Sequence, residues 1–116
     1  ADATAEDIRA VLDRLEQAGL ISDLRFAESL VRRRAGRFGT ARLRHDLRAG
    51  GVGEDIIESV LAADAGDEIA RAREVRRRKF GAPPADRAGF ARQARFLQQR
   101  GFAADIVRKA LEDGEE

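Results

Sequence analysis

The sequence predicts an all-α protein: tandem three-helix repeats stacked into an elongated, curved array, with seven helices and an incomplete first repeat. Three observations predict it. The chain is alanine-rich, has two prolines and few β-branched residues, and shows no stretch alternating with period two. It also repeats itself: Thr4-AEDIRAVL, Val52-GEDIIESVL and Phe102-AADIVRKAL align, setting Asp7, Asp55 and Asp105 at spacings of 48 and 50 residues, each followed by isoleucine. Finally, each copy carries apolar residues at helical spacing, and a period of about 45–50 residues is that of a stacked helical unit.

The last two copies agree best. Ile56, Ile57, Val60 and Leu61 shift by 50 onto Ile106, Val107, Ala110 and Leu111, and Leu47-RAGGV matches Leu97-QQRGF at the same shift. Val31-RRR matches Val75-RRR at a shift of 44, so the extra residues belong in a surface connection around Gly81-APPA. The first helix, about 4–17, carries the stripe Ile8, Val11, Leu12 and Leu15 as its buried face, and Gly19 is its natural stop. Asp23 caps a second helix over about 24–35, with Leu24, Ala27, Leu30 and Val31 inward. Thr40 caps a third (about 41–49, Leu43 and Leu47), and a fourth spans about 54–63. Asp67 and Glu68 open a fifth, with Ile69, Ala72 and Val75, ending near Gly81. Asp86 caps the sixth, with Phe90, Ala94 and Leu97 inward, and the seventh covers about 103–112. Residues 1–18 are then the last helix of a truncated first repeat, 22–65 the second repeat, 66–112 the third, and 113–116 an acidic tail. A terminal repeat without its neighbour leaves apolar surface uncovered, Ile8 and Leu12 foremost. A chain that opens on Ala1 and lacks methionine is expected to be a trimmed piece.

The net charge of +1 hides opposed blocks. Residues 1–24 carry −4, 25–53 carry +6, 54–68 carry −6, 69–100 carry +8 and 101–116 carry −3. Acidic residues at helix N-termini follow from the helix dipole, but basic blocks of this size do not. Twenty of the 22 basic residues are arginine, whose planar fork suits fixed contacts with carboxylate or phosphate. Arg92, Arg95 and Gln99 form a ridge on the sixth helix opposite Leu97, and Arg42 and His45 hold the matching positions on the third. The triplets 32–34 and 76–78 each fan over about 200° of helix, so no single ligand meets all of one triplet. Arg73 and Arg77 share a face at i, i+4. The candidate binding surface is therefore Arg32, Arg33, Arg42, Arg73, Arg77, Arg92 and Arg95, and the bland alternative for each is a solvated helix face. His45, whose repeat partner is Arg95, reads as an exposed surface residue.

Nothing in the pattern is catalytic. One histidine and no cysteine exclude a His-His metal site and a thiolate zinc site. No phosphate loop, dinucleotide fingerprint or HExxH is present. Glu54-Asp55 sits at a helix N-terminus, where capping accounts for it. Gly36-Arg-Phe-Gly39 fits the GXXG pattern of RNA-binding KH domains, which needs an accompanying sheet; here Gly36 instead ends the second helix. The expectation is a binding protein with no cofactor, no metal and no small-molecule substrate. No membrane segment or signal peptide is visible, and the expected location is cytoplasmic.

The runs Leu15-EQAGLISDLRFAESLVRRR, Gly39-TARLRHDLRAGGV and Phe96-LQQRGFAADIVRKAL together resemble the RecX family of bacterial RecA regulators. Asp23-LRFA, Arg42-Leu43 with Leu47, and Leu97-QQRGF carry most of the likeness, which spans about residues 5–112. The resemblance implies tandem three-helix repeats and a protein that binds the RecA filament and restrains its ATPase, strand exchange and co-protease action, in recombination, repair and the SOS response. It implies RecA as partner, with DNA contacted secondarily at most. The alternative is a helical module that binds DNA directly through its Arg-rich helices. Against it stand the acidic third helices and the lack of interleaved exposed aromatics.

Overall fold

The computed structural model describes residues 4–112, so the expected acidic tail at 113–116 lies outside the described residues. Six α-helices follow one another: α1 (Ala5–Arg34), α2 (Thr40–Ala49), α3 (Glu54–Asp64), α4 (Glu68–Phe80), α5 (Arg87–Gln99) and α6 (Ala104–Glu112). There is no strand among the described residues.

The count is six rather than seven because the first two expected helices are one. Gly19 does not stop α1 and Asp23 does not cap a new helix; both lie within the helix. A glycine ends a helix when it takes a left-handed conformation that closes the last carbonyls, and Gly19 is not among the positive-φ glycines. Left inside a helix it costs about 1 kcal/mol relative to alanine, too little to break a 30-residue run with no proline. Thr4 and Asp7 form a reciprocal capping box at the start.

Ile8 and Leu12 are uncovered, as expected of a terminal repeat, but the rest of the stripe read as a buried face is open too. Ile8 is 52% exposed and Leu15 64%, Val11 and Leu12 are similarly open, and Leu24 is exposed. Among the described residues no core cluster includes one before Ala27. The N-terminal half of α1 extends past the helices that cover its C-terminal half. The molecule therefore measures 78 × 21 × 18 Å, with a radius of gyration of 20.0 Å. A compact chain of this length would have a radius of about 13 Å.

From Ala27 onward the apolar pattern folds into two separate cores. The C-terminal half of α1 closes with α2 and α3 around Ala27, Val31, Leu43, Leu47, Ile57 and Val60. Helices α4, α5 and α6 close around Ala72, Val75, Leu97, Phe102, Val107 and Ala110. Both groups turn between their second and third helices in the same way. Val52 N–H donates to Leu47 O (3.1 Å) and Gly51 N–H to Arg48 O (3.0 Å); Phe102 to Leu97 (3.2 Å) and Gly101 to Gln98 (3.0 Å) repeat the pattern. This is the Schellman arrangement, with glycine at the left-handed position (φ 86° and 92°) and an apolar pair across it. That explains why Leu47-RAGGV and Leu97-QQRGF resemble each other.

Caps differ from expectation in one instructive place. Asp67 accepts from Ile69 and Ala70 N–H, and Asp86 from Gly89 N–H, as the sequence predicts. Thr40 is not the cap of α2; it is the first helical residue, and its N–H donates to Glu68 Oε2 of α4 at 2.9 Å. The orphan donor is satisfied from the other helical group, which sequence spacing alone does not reveal.

Candidate interaction surface

No apolar cluster spans the two groups; polar contacts join them. Arg71 of α4 donates through Nε to Ala35 O (2.8 Å) and through a terminal nitrogen to Phe38 O (2.6 Å), closing carbonyls just beyond the end of α1. Burial pushes its guanidinium pKa below the usual value. Arg78 donates to Gly36 O. Gly39 N–H donates to Arg100 O at 2.8 Å. A Cβ at Gly39 would run into the Gly101 carbonyl, and one at Gly101 into Arg42, so the two turns meet backbone to backbone.

The seven candidate arginines separate into different environments. Arg42 is half-buried, pairs with Asp46 at 3.1 Å and lies over the Phe38 ring at 4.6 Å. Asp46 also takes Arg34 at 2.6 Å. Burial alone would push the Asp46 carboxyl up, but the hydrogen bonds from Arg34 and Arg42 outweigh it and hold the carboxyl below the usual range. Arg73 reaches back to Ala110 O and Lys109 O, near the end of α6, at 3.4 and 3.3 Å. Arg77 is bidentate on Glu74. Arg73 and Arg77 therefore do not form one open face. Arg33 donates to Ser29 Oγ at 3.3 Å. Arg32, Arg92 and Arg95 are exposed and carry no ion pair among the described residues. His45 is exposed.

The charge blocks are not equally available. In the first group Arg44 is bidentate on Glu58 (2.8 and 3.0 Å) and Arg48 on Glu54 (2.7 and 2.9 Å). Two bidentate ion pairs thus link the +6 and −6 blocks across α2 and α3. On α5 Arg87, Arg92 and Arg95 find no carboxylate among the described residues. Among the same residues no cluster of three or more potential metal ligands occurs, and no helix is long and apolar enough to cross a membrane.

Sequence reasoning missed one arginine. Arg100, the residue after α5, lies over Phe38 at 5.5 Å and over Phe96 at 5.0 Å, bringing rings of both groups under one guanidinium. Its side chain has no hydrogen bond or ion pair among the described residues. The signal was present in Leu97-QQRGF, where arginine stands at the position that Gly50 holds in the other copy.

Family comparisons bear directly on this arrangement. A model of the RecX second three-helix domain matches residues 22–61, and one of the RecX third three-helix domain matches 66–111. The chain belongs to the RecX family. Among curated RecX relatives, the Regulatory protein RecX of Herminiimonas arsenicoxydans is 48% identical over 111 residues, covering 96% of this chain and 74% of the relative. That of Leptothrix cholodnii is 49% identical, covering 90% of this chain and 67% of the relative. That of Ralstonia nicotianae is 42% identical, covering 97% and 76%. RecX here is thus a family of regulatory proteins, and its second and third three-helix domain models fall on the stretches that contain the two cores.

Proposed function

We propose that this chain binds the RecA filament on single-stranded DNA and restrains it, lowering ATPase, strand exchange and co-protease activity as a cytoplasmic, non-enzymatic regulator of recombination and repair. Family membership supports a regulatory role. The observation that carries the surface assignment is the exposed Arg92–Arg95 ridge of α5, which has no carboxylate partner among the described residues, on a molecule 78 Å long with its projecting α1. A narrow helical rod of that length suits a filament groove, where it touches successive protomers and obstructs partner strands or further growth. Unpaired arginines give fast, salt-sensitive association with acidic surfaces. In this reading the N-terminal half of α1 takes the part of the last helix of a preceding unit, and 22–65 and 66–112 are two whole ones. Arg32 joins Arg92 and Arg95 as a contact; Arg33 and Arg77 are engaged on their own helices by Ser29 and Glu74, and Arg42 and Arg73 by Asp46 and the end of α6.

The test is co-sedimentation with RecA filaments assembled on single-stranded DNA with a slowly hydrolysed ATP analogue, with the same DNA lacking RecA as control. Pelleting with filaments alone is expected, and reversing Arg92 and Arg95 to glutamate lowers retention at least tenfold while reversing Glu6 and Glu112 does not. Equal retention by naked DNA would establish the direct DNA-binding alternative, which the unpaired cations of α5 also suit.

A further inference from the structure

At the junction of the two helical groups lies an open cleft of about 220 Å³. Its walls come from the turn after α1, the end of α4 and the end of α5, and include Arg37, Arg78, Lys79, Phe96 and Arg100. Part of this charge is already spoken for. Arg78 is bound to Gly36 O and lies 3.6 Å from Glu74. Arg37, Lys79 and Arg100 have no carboxylate partner among the described residues. Arg37 lies over Phe38 at 5.6 Å and Lys79 over Phe96 at 5.5 Å, the two rings that also hold Arg100.

Arg42, paired with Asp46, also lies over Phe38; the other three cations on these two rings repel one another, and ring contacts worth about 0.5–2 kcal/mol each offset that only in part. A half-buried guanidinium whose donors are all free is the least satisfied of them. Its position is nevertheless fixed, because Phe38 and Phe96 come from different groups locked by the Gly39–Gly101 contact. A positioned fork with unused donors is the arrangement that receives a planar oxyanion bidentately.

We propose that this junction cleft is a receptor for an acidic protein segment, with one glutamate or aspartate carboxylate seated on Arg100 and neighbouring carboxylates met by Arg37 and Lys79. Two observations favour carboxylate over a nucleic-acid strand. Phe38 and Phe96 are already occupied by cations, so they give no free platform for a base, and single-strand sites draw on such stacking. The positive charge is also interrupted by carboxylates: on one side Asp46 lies between Arg34 and Arg42, and on the other Glu74 engages Arg77 and Arg78. A strand carrying a phosphate about every 3.4 Å along a duplex requires a continuous stripe. Because both helical groups contribute, a seated carboxylate also ties them together and stiffens the junction. Assigning the segment to a filament partner rests on the proposed function; the site itself does not.

The test is an NMR titration of the whole chain with hexaglutamate and, separately, a thymidylate oligomer of matching charge. Hexaglutamate is expected to shift the Gly36, Arg37 and Gly101 amides saturably. Arg100→Gln weakens that binding about tenfold, and the exposed double variant Arg37→Gln/Lys79→Gln weakens it without touching the junction contacts. Equal or tighter thymidylate binding at these amides overturns the proposal, as do hexaglutamate shifts confined to Arg92 and Arg95, or no shifts at all. Filament co-sedimentation of the unaltered chain reports separately on the function: retention without peptide binding removes the cleft, and peptide binding without retention removes the RecA reading.

Discussion

The helical group of α2, α3 and the C-terminal half of α1, and the group of α4, α5 and α6, share one plan: a core leucine at 47 or 97, the same glycine turn, and an Ile-Ile or Ile-Val third helix. They use their arginines differently. The first group spends Arg34, Arg42, Arg44 and Arg48 on Asp46, Glu58 and Glu54. The second has its ion pairs on Glu74 and, among the described residues, leaves α5 unpaired. Duplicated helices can thus keep one packing while one copy becomes a charge-paired support and the other an open surface. Packing depends on a few apolar positions, and charge pairing on a different, exposed set.

The strongest way to probe the shared plan is to remove its central leucines. Leu47 and Leu97 are both fully buried at equivalent positions. Truncating either to alanine is expected to lower stability by about 3 kcal/mol through lost contacts and a cavity. Denaturant unfolding followed by circular dichroism should give similar losses for the two; a loss under about 1 kcal/mol at one site would break the equivalence. Next is the junction. Gly39→Ala pushes a methyl group into the Gly101 backbone and is expected to cost about 2 kcal/mol. Gly89→Ala, at the repeat-equivalent position, meets no backbone: its neighbours are the capping Asp86 carboxylate at 3.1 Å, Pro84 at 3.6 Å and the Arg92 guanidinium at 3.8 Å, so it is expected to cost less than Gly39→Ala. Hydrogen exchange should show the two groups opening separately in the first variant and together in the second.

The smallest effect is set by pH. Hydrogen bonds from Arg48 and Arg44 hold Glu54 and Glu58 below the usual carboxylate range, and Asp46 is lowered despite its burial. A carboxyl lowered in the folded state contributes stability above its unfolded value of about 4 and loses it as pH falls through the folded value. In the second group the lowered carboxyl is Glu74, held by Arg77. Between about pH 5 and 2.5, amide protection should therefore fall in α2 and α3 before α4 and α5. Asp46→Asn removes about 1 kcal/mol at neutral pH and narrows that gap. Simultaneous loss in both groups would show that the ion pairs do not distinguish them.

Leu43, Leu47, Ile57, Leu97 and Val107 were legible as core, because apolar spacing at 3.6 residues and a repeated period specify which side of a helix turns inward. Asp67 and Asp86 were legible as caps, since a cap acts within three residues of itself. Gly19 was misleading, because a glycine ends a helix only when it and the next residues turn the backbone to close the last carbonyls. The candidate arginines were legible as a composition but not as a surface. Arg42, Arg73 and Arg77 turn out to be occupied by Asp46, helix-terminal carbonyls and Glu74, while Arg92 and Arg95 are not.

By itself the sequence determined the all-helical class, the 50-residue repeat, the cores and the resemblance to a regulatory family, all of which rest on periodicity and short-range spacing. Tertiary structure alone decided that α1 runs unbroken, that Glu68 caps α2 from another helix, and that Gly39 meets Gly101. It alone decided that Arg100 stands over two rings with its donors free among the described residues. The physical reason is range: helix periodicity and caps are settled within a few residues of chain, whereas the pairing of a long charged side chain depends on what another helix brings within about 4 Å of it.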